Sequence, residues 1–177
     1  MSETAVISPF SRSAELEYLE PGLQASCRVA VSLEEVSLHH AIRNAVFVEE
    51  QGFFEGTDRD AHDDDPSTVK LLGLYGPVAG AAVRVYPLDE PGLWRGDRLA
   101  VLPPFRPRTL GAPLVRFAVR TAGDRGGRLM VAFIQPRNVG FFRKLGWHTV
   151  GEPEMYVDRL HQKMAIELRA HRAGSQG

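Results

Sequence analysis

Residues 99–117 read LAVLPPFRPRTLGAPLVRF and form the most informative stretch of the chain. The apolar residues before the prolines predict a strand over Trp94–Leu102, and the apolar stripe after them predicts a helix over Leu110–Ala122. The first backbone N–H groups of a helix have no intrahelical partner and lie at the positive end of the helix dipole. The turn therefore predicts a cradle for a phosphate or pyrophosphate, beside which Arg106 and Arg108 add cationic donors.

The same spacing also suits an ordinary strand–turn–helix with solvated arginines. Neither the Walker pattern GxxxxGK[ST] nor the dinucleotide fingerprint GxGxxG occurs in the chain. Gly111 would let a ligand approach the backbone closely, and Pro113 is tolerated because it falls near the start of the helix. The residues alone leave both interpretations open.

The composition is that of an ordinary globular protein, with 44% hydrophobic and 24% charged residues among 177. The formal net charge of -1 argues against a strongly basic nucleic-acid-binding protein. Cys27 is the single cysteine, and no apolar run approaches the roughly 18 residues that span a bilayer. We expect a cytoplasmic protein that binds neither nucleic acid nor a membrane, and its oligomeric state, monomer or homodimer, stays open.

Strand-like and helix-like patterns alternate along the chain and predict a mixed α/β domain with a central sheet over residues 25–170. Residues 1–24 have the punctuation of an N-terminal extension, and 171–177 that of a frayed tail. The predicted elements are strands over Cys27–Val31, Val69–Tyr75, Val78–Tyr86, Trp94–Leu102, Arg128–Ile134, Trp147–Val150 and Lys163–Leu168, and helices over Val36–Val48, Leu110–Ala122 and Asn138–Leu145.

Three segments, in the correct order, resemble motifs of the GCN5-related N-acetyltransferases, the GNAT superfamily. Arg106–Ala112 resembles the Q/R-x-x-G-x-G/A motif, Asn138–Trp147 resembles the Asn…FYxKLGF motif, and Arg43–Gly52 resembles R-x-x-VFVxEQ of one subgroup. Within the superfamily the chain looks most like a bacterial subgroup associated with nitrogen-starvation gene clusters. The resemblance implies a mixed, mostly antiparallel central sheet flanked by helices, and transfer of an acetyl group from acetyl-CoA to a small amine without a metal.

The resemblance also implies an acetyl-CoA site. The pantetheine arm would pair with the strand edge, the amide of Val101 would polarise the thioester carbonyl, and Asn138 would contact the cofactor from the next helix. Thr109 stands where the motif has its first glycine, and Phe142 stands where many relatives carry the tyrosine that protonates the departing thiolate. The cofactor-binding residues implied are Leu99, Ala100, Val101, Arg106, Pro107, Arg108, Thr109, Leu110, Gly111, Ala112, Asn138 and Phe142.

Acetyl transfer to an amine also needs a base, because an amine with a pKa of about 10 is mostly protonated at neutral pH. Glu50 is the preferred base or substrate contact, since it lies one turn past Val46 if the helix continues. Tyr156 could replace the missing proton donor, although a packed surface tyrosine is the simpler interpretation. The other candidate bases are Glu49, Asp60, His62 and Asp63.

The segment Glu55–Asp65 is dense with carboxylates. It suits a recognition loop for a cationic acceptor, a calcium loop or a merely solvated surface loop. The calcium interpretation would use alternate positions, namely Asp58, Asp60, His62 and Asp64.

Two rival functions remain open. The R-x-x-VF motif at Arg43 and the acid-rich segment after it also resemble acyl-homoserine lactone synthases, which share this fold and combine acyl donors with S-adenosylmethionine. Thr109 and Phe142 favour a non-catalytic acetyl-CoA-binding protein.

Overall fold

The structure is a computed structural model that describes residues 24–108, 110–156 and 158–170. Its contacts divide the described residues into two compact units: the first holds those up to Arg84 together with those of Arg98–Val115, and the second holds Val85–Asp97 and those from Arg116 onward. The predicted extension, except for residue 24, lies outside the described residues. The predicted tail over 171–177 lies outside them as well. The single domain over 25–170 stays a prediction.

The described part of the chain forms eight strands and three α-helices. The strands are β1 (Ala25–Val29), β2 (Val69–Tyr75), β3 (Val78–Pro87), β4 (Leu93–Val101), β5 (Leu129–Ile134), β6 (His148–Thr149), β7 (Glu154–Tyr156) and β8 (Arg159–Glu167). The helices are α1 (Leu33–Asn44), α2 (Gly111–Asp124) and α3 (Val139–Lys144). A π-helix covers Ala45–Glu50, and 3-10 turns cover Ala61–Asp63, Pro103–Arg108 and Pro136–Asn138.

The strands hydrogen-bond in the order β1-β2-β3-β4-β5-β8-β6, and β7 pairs with β8. Strand β1 is antiparallel to β2, and β8 is antiparallel to β5, β6 and β7. Strands β4 and β5 are parallel, with Leu93 opposite Leu129 and Arg95 opposite Val131. The prediction of a mixed, mostly antiparallel sheet flanked by helices is confirmed. Strand β7 is missing from the predicted order because three exposed residues give too short a pattern to detect.

Helix α1 begins at a capping box, as Ser32 and Glu35 indicate. The Ser32 hydroxyl accepts from the Glu35 N–H at 3.1 Å, and the Glu35 carboxylate accepts from the Ser32 N–H at 3.2 Å. The chain then widens into the π-helix, where the Gln51 N–H donates to the Val46 carbonyl. Wider turns change which side chains share a face, so Glu50 does not keep the α-helical register from which its position is predicted.

In the first unit, the turn after β4 packs on glycine positions of β2 and β3. The Leu102 N–H donates to the Gly80 carbonyl at 2.9 Å, and the buried Phe105 ring lies where Gly80 would carry a Cβ. Leu114 at the start of α2 lies 3.6 Å from the corresponding position on Gly73. These contacts hold both ends of the turn.

We expect Gly80→Ala to destabilise the protein by about 1–3 kcal/mol, the usual cost of overpacking a filled core. The added methyl would meet three atoms of the Phe105 ring at 2.5–2.9 Å, and a rigid ring in a buried position cannot move aside cheaply. Urea denaturation measures the loss.

The matched control is Gly140→Ala in α3, where a Cβ meets nothing within 4 Å. Alanine is the better helix former, so this variant should be as stable as the wild type or up to about 1 kcal/mol more stable. Equal stability of Gly80→Ala and the wild type would show that Phe105 does not anchor the turn.

In the second unit, Gly123 lies inside α2, which continues to Asp124 and so extends beyond the predicted end at Ala122. A Cβ at this position would collide with the backbone carbonyl of Arg169, so the residue is small because another segment approaches closely. The ring of Phe142 is buried and meets Trp147 edge to face, with centroids 5.4 Å apart. None of the described helices is long and apolar enough to cross a membrane.

Candidate functional site

The turn predicted to cradle a phosphate leads directly into α2. The first hydrogen bond of this helix runs from the Leu114 N–H to the Leu110 carbonyl at 3.2 Å. The amides of Gly111 and Ala112 precede that bond, and both residues are only half-buried. A helix of 14 residues places the positive end of its dipole there. The backbone therefore fits an anionic group of the size of a phosphate.

Four of the predicted cofactor-binding residues have limits in this geometry. Leu110 buries its side chain in the core, so it can offer only its backbone. Thr109 lies outside the described residues, and the backbone alone is described at Pro107 and Arg108.

The end of β4 has backbone groups, those of Val101, that do not point toward β3. Because the Leu102 N–H points to Gly80 on β3, and successive peptide groups of an extended strand point to opposite sides, the N–H and carbonyl of Val101 point away from β3. The side chain of Ala100 is buried, whereas Leu99 and Val101 are half-buried. The amide predicted to polarise the thioester thus faces away from the neighbouring strand.

Arg106 and Glu50, which the sequence assigns to different roles, form a bidentate ion pair. The Arg106 Nη1 and Nη2 atoms donate to the two Glu50 carboxylate oxygens at 3.0 and 2.6 Å. The Arg106 Nε donates to the carbonyl oxygen of Val101 at 2.9 Å. One guanidinium group therefore joins the candidate base to the strand edge.

Most acidic residues of the segment 55–65 that were candidates for recognition are paired with arginines. The buried Arg43 donates to Asp58 at 2.7 Å and to Asp63 at 2.6 Å. Arg84, also buried, donates to Asp60 at 2.6 Å and to Asp63 at 2.9 Å. We call this group, with Arg98, the arginine–aspartate cluster; its members are Arg43, Asp58, Asp60, Asp63, Arg84 and Arg98.

The arginine–aspartate cluster bears on the three interpretations of the acidic segment. Burial alone would raise the pKa of Asp63, but the hydrogen bonds and charge of Arg43 outweigh it and hold that pKa far below its usual range. Hydrogen bonds from Arg84 lower the pKa of Asp60. Asp58 and Asp60, two of the four residues in the calcium interpretation, are bound to guanidinium groups instead. Among the described residues, no group of histidine, cysteine and acidic side chains could hold a metal ion.

Arg98 adopts a left-handed backbone conformation, with φ at 55°, inside β4 and directly before Leu99. Such a conformation costs a non-glycine residue about 1–3 kcal/mol and persists only where surrounding contacts hold it. Here the guanidinium donates to the Asp58 carbonyl at 3.2 Å and lies over the Phe54 ring at 4.6 Å. Sequence reasoning missed Arg98 and Arg84, because an arginine inside a strand carries no local signal of a partner far along the chain.

Two histidines of α1 lie beside the cluster. His39 is buried; its Nδ1 is 3.0 Å from the Leu71 carbonyl, and its Nε2 is 3.2 Å from Arg43. Arginine can only donate, so Nε2 accepts and Nδ1 carries the proton. Burial and then the charge of Arg43 lower the pKa of His39 to about 3. Burial, Arg43 and Arg59 lower the pKa of His40 to about 4.

Stability should therefore fall as the pH drops below about 6.5, the ordinary histidine pKa. Between that pH and the folded-state pKa values of about 3 and about 4, the unfolded chain binds more protons than the folded one. His39 alone contributes a slope of up to about 1.4 kcal/mol per pH unit. The lowered pKa values of Asp60 and Asp63 act in a separate window, below about pH 4.

Urea denaturation at several pH values between about 4.5 and 7 measures this slope. His39→Gln keeps a polar side chain but cannot take up the proton, so it should flatten the dependence. An unchanged slope in that variant would show that His39 is not the buried neutral group. His148→Gln, at an exposed position, controls for the loss of one imidazole.

Three predicted site residues belong to the second unit. Asn138 is exposed at the start of α3 and makes no side-chain capping hydrogen bond there. Phe142 is buried in the contact with Trp147 described above. Tyr156 is 52% exposed and stacks on Phe133 with centroids 6.1 Å apart. Their contribution to catalysis or cofactor binding stays a prediction.

Comparison with known proteins places the chain in a family. The model of the acetyltransferase (GNAT) family matches residues 36–147. A Bacillus subtilis (strain 168) protein, provisionally described as an acetyltransferase, is 32% identical over 126 residues, which cover 68% of this chain and 83% of that protein.

Solved structures share the fold. The crystal structure of a provisionally assigned N-acetyltransferase from Lactobacillus plantarum gives a TM-score of 0.73 at 20% identity and covers 81% of this chain and 98% of its own. The acyl-homoserine lactone synthase BjaI, solved with SAM and isopentyl-CoA, gives 0.67 at 21% identity and covers 84% of each chain. The chain therefore belongs to the acetyltransferase (GNAT) family, and it is a transferase of acyl groups other than aminoacyl groups.

Proposed function

We propose that the protein transfers an acetyl group from acetyl-CoA to the amine of a small molecule. The observation that carries the proposal is the segment from β4 to α2, which offers the outward amide of Val101 and the helix-start amides of Gly111 and Ala112 along one run of chain. An acyl-CoA has a thioester at one end of its pantetheine arm and a pyrophosphate at the other, and these two sets of donors suit the two groups.

Binding would use the backbone more than side chains. The pantetheine amides pair with the edge at Leu99, Ala100 and Val101, as an added strand would. The pyrophosphate lies against the amides at the start of α2, in the turn that runs from Arg106 to Ala112. Pro107 has no N–H to give.

In the chemical step, the neutral amine attacks the thioester carbonyl carbon. A carbon–nitrogen bond forms, the carbonyl electrons move to oxygen, and the Val101 N–H stabilises this oxyanion. Glu50 takes the proton that the amine loses. The carbon–sulfur bond then breaks, and the sulfur leaves as a thiolate.

A panel of small amines, assayed for release of the coenzyme A thiol, tests the proposal, together with calorimetry of acetyl-CoA binding. We expect micromolar binding in the ordinary range of substrates and turnover with at least one amine of the panel. Tight binding without turnover across the panel would instead support a non-catalytic acetyl-CoA-binding protein. No binding would refute the cofactor site.

Acyl transfer of the acyl-homoserine lactone synthase type is the second candidate, favoured by the R-x-x-VF segment at Arg43, by the acid-rich segment after it and by the fold shared with BjaI. Preference for a long acyl chain and release of methylthioadenosine from S-adenosylmethionine would identify that reaction. The assignment to a bacterial, cytoplasmic, nitrogen-starvation-associated subgroup belongs to the proposal as well, and growth of a deletion strain on limiting nitrogen tests it.

A further inference from the structure

The guanidinium group of Arg106 uses all three of its nitrogens within the first unit. Its Nε donates to the carbonyl of Val101 at 2.9 Å, its Nη1 to Glu50 Oε2 at 3.0 Å and its Nη2 to Glu50 Oε1 at 2.6 Å. The end-on fork is the geometry in which arginine holds a carboxylate most firmly and with most directional specificity. The sequence, in contrast, assigns Arg106 to the pyrophosphate of the cofactor.

The two side chains come from segments with fixed backbones. Glu50 ends the π-helix, and the next residue, Gln51, is hydrogen-bonded back to Val46 at 2.9 Å. Arg106 follows Phe105, whose ring is buried over Gly80. An isolated surface ion pair contributes little to stability. This one joins two constrained backbone segments and a strand carbonyl, so it fixes the position of the Glu50 carboxylate.

The ion pair between Arg106 and Glu50 determines where the Glu50 carboxylate lies. One guanidinium group contacts both the Glu50 carboxylate and the carbonyl of Val101, so the carboxylate lies near that carbonyl. This is the side of β4 that faces away from β3. The amide of Val101 lies on that same side. A base and an oxyanion donor on one side of one strand is the arrangement that amine attack on a thioester requires.

We propose that Arg106 is a positioning residue that ties the Glu50 carboxylate to the reacting edge of β4, and that it is not a ligand of the cofactor pyrophosphate. The inference rests on the proposed function. On this inference, backbone amides of the turn bind the pyrophosphate. Arg106, the arginine of the motif, acts on the base that serves the amine acceptor.

The test separates kcat from acetyl-CoA affinity. Arg106→Ala should lower kcat by about 100-fold, the cost of misplacing a reacting group, and change the Kd and KM for acetyl-CoA by less than about twofold. Glu50→Gln should lower kcat to a similar extent. The double variant should be no slower than either single variant, because the two residues act as one unit.

Arg106→Lys should recover little of the kcat, since a lysine offers a point charge and no fork. Arg59→Ala is the matched control: it removes an exposed arginine of the same unit, 52% of whose side chain is accessible, and should leave kcat unchanged. Thermal melting checks that each variant is folded.

An increase of tenfold or more in the Kd for acetyl-CoA in Arg106→Ala, with kcat retained, would overturn the inference and make Arg106 a phosphate ligand. Additive losses in the double variant would overturn it as well. Failure of the proposed function has a different signature, because the wild type would then release no thiol with any amine. In that case the calorimetry of Arg106→Ala still decides whether the guanidinium contacts the cofactor.

Discussion

Arg43→Met is expected to lower the free energy of unfolding by about 3–5 kcal/mol, which is the cost of removing one partner from a buried ion pair. The guanidinium of Arg43 is fully buried and binds Asp58 and Asp63, whose side chains are 1% exposed. Methionine fills a similar volume but leaves both carboxylates without their shortest hydrogen bonds, and it removes the donor to His39. Urea denaturation of the full chain measures the change.

The control for this variant is Arg59→Met, at a position where the ion pair with Asp64 is long, 3.9 Å, and exposed. Exposed pairs contribute about 0–1 kcal/mol, so its stability should stay near that of the wild type. A loss below about 1 kcal/mol in Arg43→Met would mean that the cluster does not hold the acidic segment on the fold.

Gly111→Asp is expected to weaken acetyl-CoA binding by at least about 100-fold, which corresponds to about 2.7 kcal/mol. The new carboxylate would stand at the start of α2, where the proposed pyrophosphate lies, and like charges at close range cost several kcal/mol. The fold should survive, because a carboxylate in the first turn interacts favourably with the helix dipole. Calorimetry measures the affinity, and thermal melting shows that the protein is folded.

Gly111→Ala separates charge from bulk in this experiment. If the charge is responsible, alanine should weaken binding much less than aspartate does. Unchanged affinity in Gly111→Asp would move the pyrophosphate away from this turn and would refute the assignment of the cofactor site.

The sequence predicts elements well where one pattern extends over many residues. The boundaries of β2 agree with the prediction at both ends, and α2 begins within one residue of it, because continuous burial and a helical apolar stripe leave a clear local signal. The short β7 and the π-helix at Ala45–Glu50 leave none, since the first has three residues and the second depends on how the end of α1 packs.

The candidate site shows the same division. Glu50, Val101 and Arg106 could be named from motifs and charge, but the contact between Glu50 and Arg106 joins residues 56 positions apart. The acidic segment illustrates the limit more sharply: its composition suits a solvated loop, and only the fold brings Arg43 and Arg84 to its carboxylates. Local sequence records which groups are present and cannot record which distant groups neutralise them.

The left-handed residue in β4 has a consequence for the design of chimeric enzymes. The backbone at Arg98 is held by contacts with Phe54 and Asp58, about 40 positions earlier in the chain, so the shape of the proposed acyl-binding edge is specified partly by the acidic segment. A graft that exchanged this segment for that of another protein, to alter acceptor choice, would remove the side chains that hold the left-handed backbone at Arg98. The acidic segment and β4 would therefore have to be transplanted together.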